Sequence, residues 1–274
     1  MGNISRYRLD SRIGKFLLSV HGAGIRMGEH VSKSPGYSPV IIDYRQYRSG
    51  DPIKDIDWKL SARTEKLFVK IREGYRQTDF VVAVDDSESM KTVYNSGPSK
   101  FTTALTMAYI TARIALKSRD KIFFLWGGDR VQVSTEQSLI DFLLSMEDGR
   151  AHSDFWNISF GSGSNVFILS DFFVEIERFL SFTKEISRQS VNIYSFIIQD
   201  PAERELDFNG RFHFFDPESD SSVLTETKTI EKKYYDLYHS HFSQITARSK
   251  SHGIKNRIVS TATDPFNEFI RILS

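Results

Sequence analysis

The chain contains no cysteine. That absence excludes disulfide staples, thiolate metal sites and cysteine nucleophiles, and it suits a reducing compartment. Neither sign of charge is in excess. Against 35 Asp and Glu stand 36 Lys and Arg, so no overall field draws DNA, RNA or an anionic membrane to the protein. Long hydrophobic runs are missing too: "FVVAV" (80–84) and "VFIL" (166–169) fall far short of the ~18 residues a membrane helix needs. The stretch "MGNISRYRLDSRIGKFLLSVHGAG" is too charged and interrupted for a signal peptide. The expectation is a cytoplasmic protein with no membrane span and no nucleic-acid partner. His239 and His241 stand two apart on a predicted helix, face different ways and make a poor zinc pair. Gly22, Gly24 and Gly28 lack the spacing and the preceding strand of a dinucleotide loop. No serine sits in a G-x-S-x-G elbow.

What is present is an alternation. From Phe80 onward, short runs rich in Val, Ile and Phe recur: "FVVAV" (80–84), "KIFFLW" (121–126), "NVFILS" (165–170) and "VNIYSFII" (191–198). Such runs suit strands covered on both faces. Between them, Leu105, Ala108, Tyr109, Ala112 and Leu116 form one helical stripe, and Ile176, Phe179, Leu180 and Ile186 form another. Strand–helix order of this kind predicts an α/β fold, a mainly parallel sheet with helices on both faces. Further on, 211–226 reads as a hairpin, and a long helix covers 228–252 with Tyr235, Tyr238, Phe242 and Ile245 inward. A last strand then leads to a helix capped by Asp264 with Pro265 at its first position. Residues 1–78 break the plan. They are read as an extension packed on a domain of residues 79–274.

The run "VVAVDDSESM" (81–90) stops abruptly on acids and hydroxyls. Ligands of open α/β sheets bind beyond the carboxyl ends of strands, where the strand order reverses. If the 80–84 and 165–170 strands are neighbours, Asp171 faces the 85–89 loop. Asp85, Ser87, Ser89 and Asp171 then offer hard oxygen ligands of the kind that suit Mg²⁺, with Asp86 and Glu88 pointing away. The competing reading is a turn in which Asp and Ser only cap a helix.

Asp85-x-Ser87-x-Ser89 after an apolar strand resembles the metal-ion-dependent adhesion site of von Willebrand factor A domains, and Asp171 stands where that family carries a second aspartate. Upstream, "DYRQYRSGDPIKDIDWKLSARTEKLFVK" (43–70) resembles the signature of the bacterial family called domain of unknown function 58. The matching residues are Tyr47, Gly50, Asp51, Ile56, Asp57, Trp58, Lys59, Ala62, Arg63 and Thr64. The resemblance implies a von Willebrand factor A-like (Rossmann-like) fold and a Mg²⁺ site, with Mn²⁺ as substitute. It also implies a non-enzymatic adaptor or assembly factor that works with a MoxR-type AAA+ ATPase and other von Willebrand factor A-like proteins. One feature departs from the pattern: the usual Gly-Gly-Thr threonine is missing from 147–165, where Ser153, Ser159 and Ser162 are the hydroxyls on offer. Asp57, Trp58, Lys59 and Arg63 read as structural, with Trp58 buried and Arg63 paired to Asp57 or Asp51.

Two other functions compete. A receiver-like phosphorylation switch would use the strand-end acids, with Asp171 as phospho-acceptor, but Gln199 and Asp200 stand before Pro201 where a receiver carries lysine. A metal-dependent phosphohydrolase would use Asp85 as nucleophile, but Ser87 stands where the general acid belongs.

Overall fold

Residues 41–72, 78–93, 97–148, 160–205, 210–215 and 222–273 are described in the structure, a computed structural model. The chain divides into two compact units, one within 29–77 and the other over 78–274. In the first, β1 (Ile41–Gln46) pairs antiparallel with β2 (Phe68–Arg72), and helix α1 (Trp58–Thr64) lies between them in sequence. Asp57 starts α1 by accepting a hydrogen bond from the Leu60 amide at 3.0 Å, the usual service of an N-cap acid. Gly50 takes φ +102°, a conformation that side chains resist. Arg45 grips Asp51 with two hydrogen bonds of 2.7 and 2.6 Å.

Two expectations for this unit need correction. Trp58 is 62% exposed, because it is the first residue of a one-sided helix whose buried position is Ser61. Asp51 and Asp57 also pair with Arg45 and Lys70 rather than with Arg63. Tyr47 is held through its backbone, its amide bonding the Leu67 carbonyl at 2.8 Å, while Lys59 and Arg63 are exposed.

The second unit runs β3 (Asp79–Val84), α2 (Glu88–Lys91), α3 (Lys100–Lys117), β4 (Lys121–Trp126), β5 (Asp129–Val133), α4 (Glu136–Asp148), β6 (Asn165–Ser170), α5 (Ile176–Ile186) and β7 (Asn192–Gln199). There follow α6 (Pro201–Glu205), the hairpin β8 (Arg211–Phe215) and β9 (Ser222–Glu226), α7 (Thr227–Ser251), β10 (Lys255–Ser260) and α8 (Pro265–Leu273). Six strands form one sheet in the order β10-β7-β6-β3-β4-β5. All neighbours are parallel except the edge strand β5, which returns antiparallel to β4. Numbered within the sheet this is the 3-2-1-4-5-6 order of doubly wound folds, and its reversal falls between β3 and β6.

Strand β5 and helix α4 have no counterpart in the sequence expectation. Gly127 and Gly128, at φ 61° and 84°, form the two-residue turn that returns β4 into β5, a turn that requires positive φ at both positions.

Alternate residues of β3 face opposite layers. Val82 and Val84 meet α3, α4 and α8, whereas Val81 and Ala83 meet α5 and α7. On the first face Phe167 stacks against Phe80, Tyr194 and Phe269, with ring centroids 5.6, 4.9 and 6.0 Å away. Helix α3 is buried nearly all round instead of along one stripe, because α4 and α8 flank it in the same layer. In α7, Tyr238, Phe242 and Ile245 face inward but Tyr235 is 54% exposed. At 100° per residue, Tyr235 lies at the flank of that face, and Tyr234 falls closer to it. Asp264 caps α8 as expected, accepting from the Phe266 amide at 3.0 Å. Among the described residues no helix is long and apolar enough to cross a membrane.

Asp120, between α3 and β4, accepts from the Thr78 amide at 3.0 Å. Burial, reinforced by the charge of Asp79 and opposed by that amide, pushes its pKa up to about 6. The folded state therefore holds this proton more tightly than the unfolded chain, where the value is about 3.9. The stability it contributes is present below about pH 4 and is lost as pH rises through about 6. Asp120→Asn keeps the acceptor and removes the ionisation. It should stabilise the protein by about 1 kcal/mol near pH 7, after allowance for solvent screening, and by much less near pH 4. Urea unfolding at both pH values checks this, and an equal difference at both would exclude it.

Candidate functional site

The ladder between β3 and β6 continues one residue past the strands, since the Asp85 amide donates to the Leu169 carbonyl at 2.9 Å. That bond sets Asp85 beside Ser170, whose Oγ donates to Asp85 Oδ2 at 2.5 Å. The other carboxylate oxygen, Oδ1, accepts from the Ser87 amide at 3.0 Å and turns the chain toward α2. Ser87 occupies the N-cap of α2, yet its side chain makes no capping bond. Its Oγ lies instead 3.1 Å from Ser89 Oγ. Ser89 Oγ in turn donates to Asp171 Oδ2 at 2.8 Å. A hydroxyl has one proton, so Ser89 donates to Asp171 and receives from Ser87.

All four expected residues thus converge in one hydrogen-bonded chain at the switch point. Asp86 is 3% exposed. Glu88 is partly exposed and pairs with Lys91 at 3.5 Å.

The chain of bonds then continues through two residues that sequence inspection does not single out. Lys100, the first residue of α3, has a side chain with no exposed surface and places Nζ 2.8 Å from Asp171 Oδ2. The same ammonium reaches Glu203 Oε1 of α6 at 2.5 Å. Phe173 lays its ring 5.2 Å from that ammonium, and its amide donates to Asp171 Oδ1 at 3.2 Å. Between Asp171 and Phe173 the backbone of Phe172 is left-handed, φ 57°, which sends its ring into the core against Phe179. The Phe172 carbonyl accepts from His241 Nε2 at 2.8 Å. The Tyr234 hydroxyl donates to the Glu203 carbonyl at 2.7 Å.

Charge is crowded here. Burial, and then the neighbouring Asp171, push the Asp85 carboxyl above the usual range, against the bonds from Ser170 and Ser87. Burial also opposes the Lys100 charge, but Asp171 and then Glu203 more than offset it and raise its pKa. Glu203 is raised by burial despite the partial relief from Lys100. Burial and the charge of Glu203 raise the Tyr234 hydroxyl to about 12.

Residues 43–154 match the model of a family described as "Protein of unknown function DUF58". Over these residues the chain is similar to the DUF58 family. The match spans the signature block and the strand-end loop, and it ends before Asp171 and Glu203. No curated protein matches the chain. Among solved structures it is similar to the conserved hypothetical protein BatB from Bacteroides thetaiotaomicron, at 13% identity over 71% of this chain and 95% of that one, TM-score 0.38. It is likewise similar to an aerotolerance-related membrane protein from Bacteroides fragilis NCTC 9343 carrying multiple mutations to serines. There the identity is 13% over 71% of this chain and 98% of that one, TM-score 0.43. Both likenesses are distant.

The strand-end residues do not fit a divalent ion as they stand. Each oxygen of Asp85 already accepts one hydrogen bond, and Asp171 Oδ2 accepts two, from Ser89 and from Lys100. An ion bound to Asp171 Oδ2 at about 2.1 Å would lie within about 5 Å of the ammonium. Their repulsion is on the order of 7 kcal/mol at an effective dielectric constant of ~20. Among the described residues no three His, Asp or Glu side chains converge on one point. Of the hydroxyls considered for the missing threonine, Ser153 and Ser159 lie outside the described residues, and Ser162 sits in an exposed turn. The hydroxyl that does join Asp85 is Ser170, from the end of β6.

A signal for Lys100 exists in the sequence. It opens a long helix directly after the capping Ser99, whose Oγ accepts from the Thr102 amide at 3.0 Å. A cation at that end is disfavoured by the helix dipole, so a lysine there asks for acids from elsewhere.

Proposed function

We propose that this chain is a non-enzymatic protein-interaction module of von Willebrand factor A-like type. Its docking point is the surface over the Asp85–Ser87–Ser89–Asp171 chain, and its partner is a MoxR-type AAA+ ATPase, for which it acts as adaptor or assembly factor. The observation that carries the reading is the convergence of those four residues at the switch point. The sheet order with its antiparallel edge supports the von Willebrand factor A-like reading, and the likeness of residues 43–154 to that family motivates the choice of partner. Enzymatic readings have less support. Asp85 is partly buried, hydrogen-bonded at both oxygens and raised in pKa, which makes it a poor nucleophile. Asp171 is 2% exposed and bonded to Lys100, which leaves little access for a phosphoryl donor.

Ser87→Ala tests the reading cleanly, because the Ser87 side chain caps nothing while its amide bond to Asp85 survives the change. At constant Mg²⁺, which the ATPase needs for its own nucleotide, the variant should capture the ATPase about tenfold less well or worse, a loss of ~1.4 kcal/mol. Its melting temperature should stay close to that of the wild type. Capture equal to wild type by both Ser87→Ala and a folded Asp85→Ala would place the contact on another surface.

A further inference from the structure

We propose that the Lys100 ammonium is the resident cation of the strand-end cluster. It takes the place that a divalent ion holds in a metal-ion-dependent adhesion site, so the cluster is complete without metal. The inference rests on the docking reading only for its biological use; the chemistry stands on geometry.

Three observations carry it. The Lys100 side chain is fully buried, and a lone ammonium in such a place is sustained only by carboxylates close at hand. Its contact is made to Asp171 Oδ2, the oxygen to which Ser89 also donates. The ammonium therefore sits at the Asp171 end of the hydrogen-bonded chain, beside two of the four expected ligands, and supplies positive charge there. The lysine arrives from the end of α3 where a cation is least favoured by the helix, and it is Asp171 and Glu203 that hold it there. Glu203, 8% exposed, has its second oxygen, Oε2, without a hydrogen-bond partner among the described residues. Its side-chain ion pair among the described residues is with Lys100. A lysine that bridges β6 and α6 in this way supplies by covalent attachment what the von Willebrand-type site takes from solution.

The test is a calorimetric titration of the full chain with MgCl₂ and then MnCl₂. The wild type should show no saturable binding up to about 10 mM, above the ~10⁻⁴–10⁻³ M range of weak oxygen-ligand sites. Lys100→Met removes the charge and keeps much of the length. It should gain a Mn²⁺ site with a Kd below about 1 mM, visible by electron paramagnetic resonance and lost again when Asp85→Ala is added. Saturable binding by the wild type that Asp85→Ala abolishes would overturn the proposal. So would a folded Lys100→Met that takes up no Mn²⁺. Should that variant fail to fold, the wild-type melting temperature decides. A resident ammonium leaves it unchanged by Mg²⁺ or EDTA, whereas a bound metal makes it rise with Mg²⁺, as ligand binding to the native state requires. No arm uses the ATPase, so failure here leaves the docking reading intact, and failed capture there leaves the Lys100 assignment intact.

Discussion

Phe167→Ala should lower the unfolding free energy by about 3–5 kcal/mol, the range for removing a fully buried aromatic. Phe167 is 1% exposed and lies on the central strand β6. Its ring packs between Phe80 and Tyr194 and reaches Phe269 of α8. Three secondary-structure elements thus lose the same neighbour at once, and a cavity walled by other stacked rings closes poorly. Val223→Ala on β9, where the side chain is 61% exposed, should change stability by less than about 0.5 kcal/mol. Urea denaturation of both variants measures the contrast. A Phe167→Ala loss as small as that of Val223→Ala would mean that the stacked aromatics are not the core.

Lys100→Met should cost a similar amount, about 3–5 kcal/mol, for a different reason. Breaking a buried ion pair from one side leaves uncompensated charge in a poor solvent. Here that charge is carried by Asp171 and Glu203 together, at 2% and 8% exposure. The triple variant Lys100→Met, Asp171→Asn, Glu203→Gln removes all three charges and should recover most of the loss, since neutral side chains of similar shape carry a far smaller desolvation penalty. Equal stability of Lys100→Met and wild type near neutral pH would show that the lysine is incidental to the fold. A triple variant no better than Lys100→Met would point to lost packing in place of lost charge.

The sheet was largely legible, and for clear reasons. Strands β3, β4, β6 and β7 are buried on both faces, so each writes an unbroken apolar run. Strand β5 is an edge strand with mostly exposed residues. It leaves almost no pattern beyond the two glycines ahead of it. The long helix α7 is legible in extent but not fully in phase, which is why Tyr235 reads as inward. The acids and hydroxyls of the site could be read because a doubly wound sheet concentrates function at strand ends, and three of them share one loop. Lys100 and Glu203 could not be read in the same way. Their bonds span 71 and 103 residues of chain, and no periodicity encodes a contact of that range. Trp58 misled for the opposite reason: a tryptophan in a distinctive motif suggests burial, yet its helix buries a different face.

The length of those Lys100 bonds also sets a schedule. The β4–β5 hairpin, closed by Gly127 and Gly128, needs only its own neighbours and can form within microseconds of becoming available. Lys100, by contrast, leaves the ribosome well ahead of both its acids. At 5–20 residues per second, the 103 residues that separate it from Glu203 take about 5–20 s to synthesise. Until its acids arrive, Asp171 after 71 residues and Glu203 after 103, burial of the ammonium is uncompensated, which disfavours docking of the first turn of α3. Docking of the central helix and completion of the strand-end cluster are therefore one late step of biosynthesis. A nascent chain stalled before residue 203 would present the apolar surface of α3 to whatever chaperone meets it first.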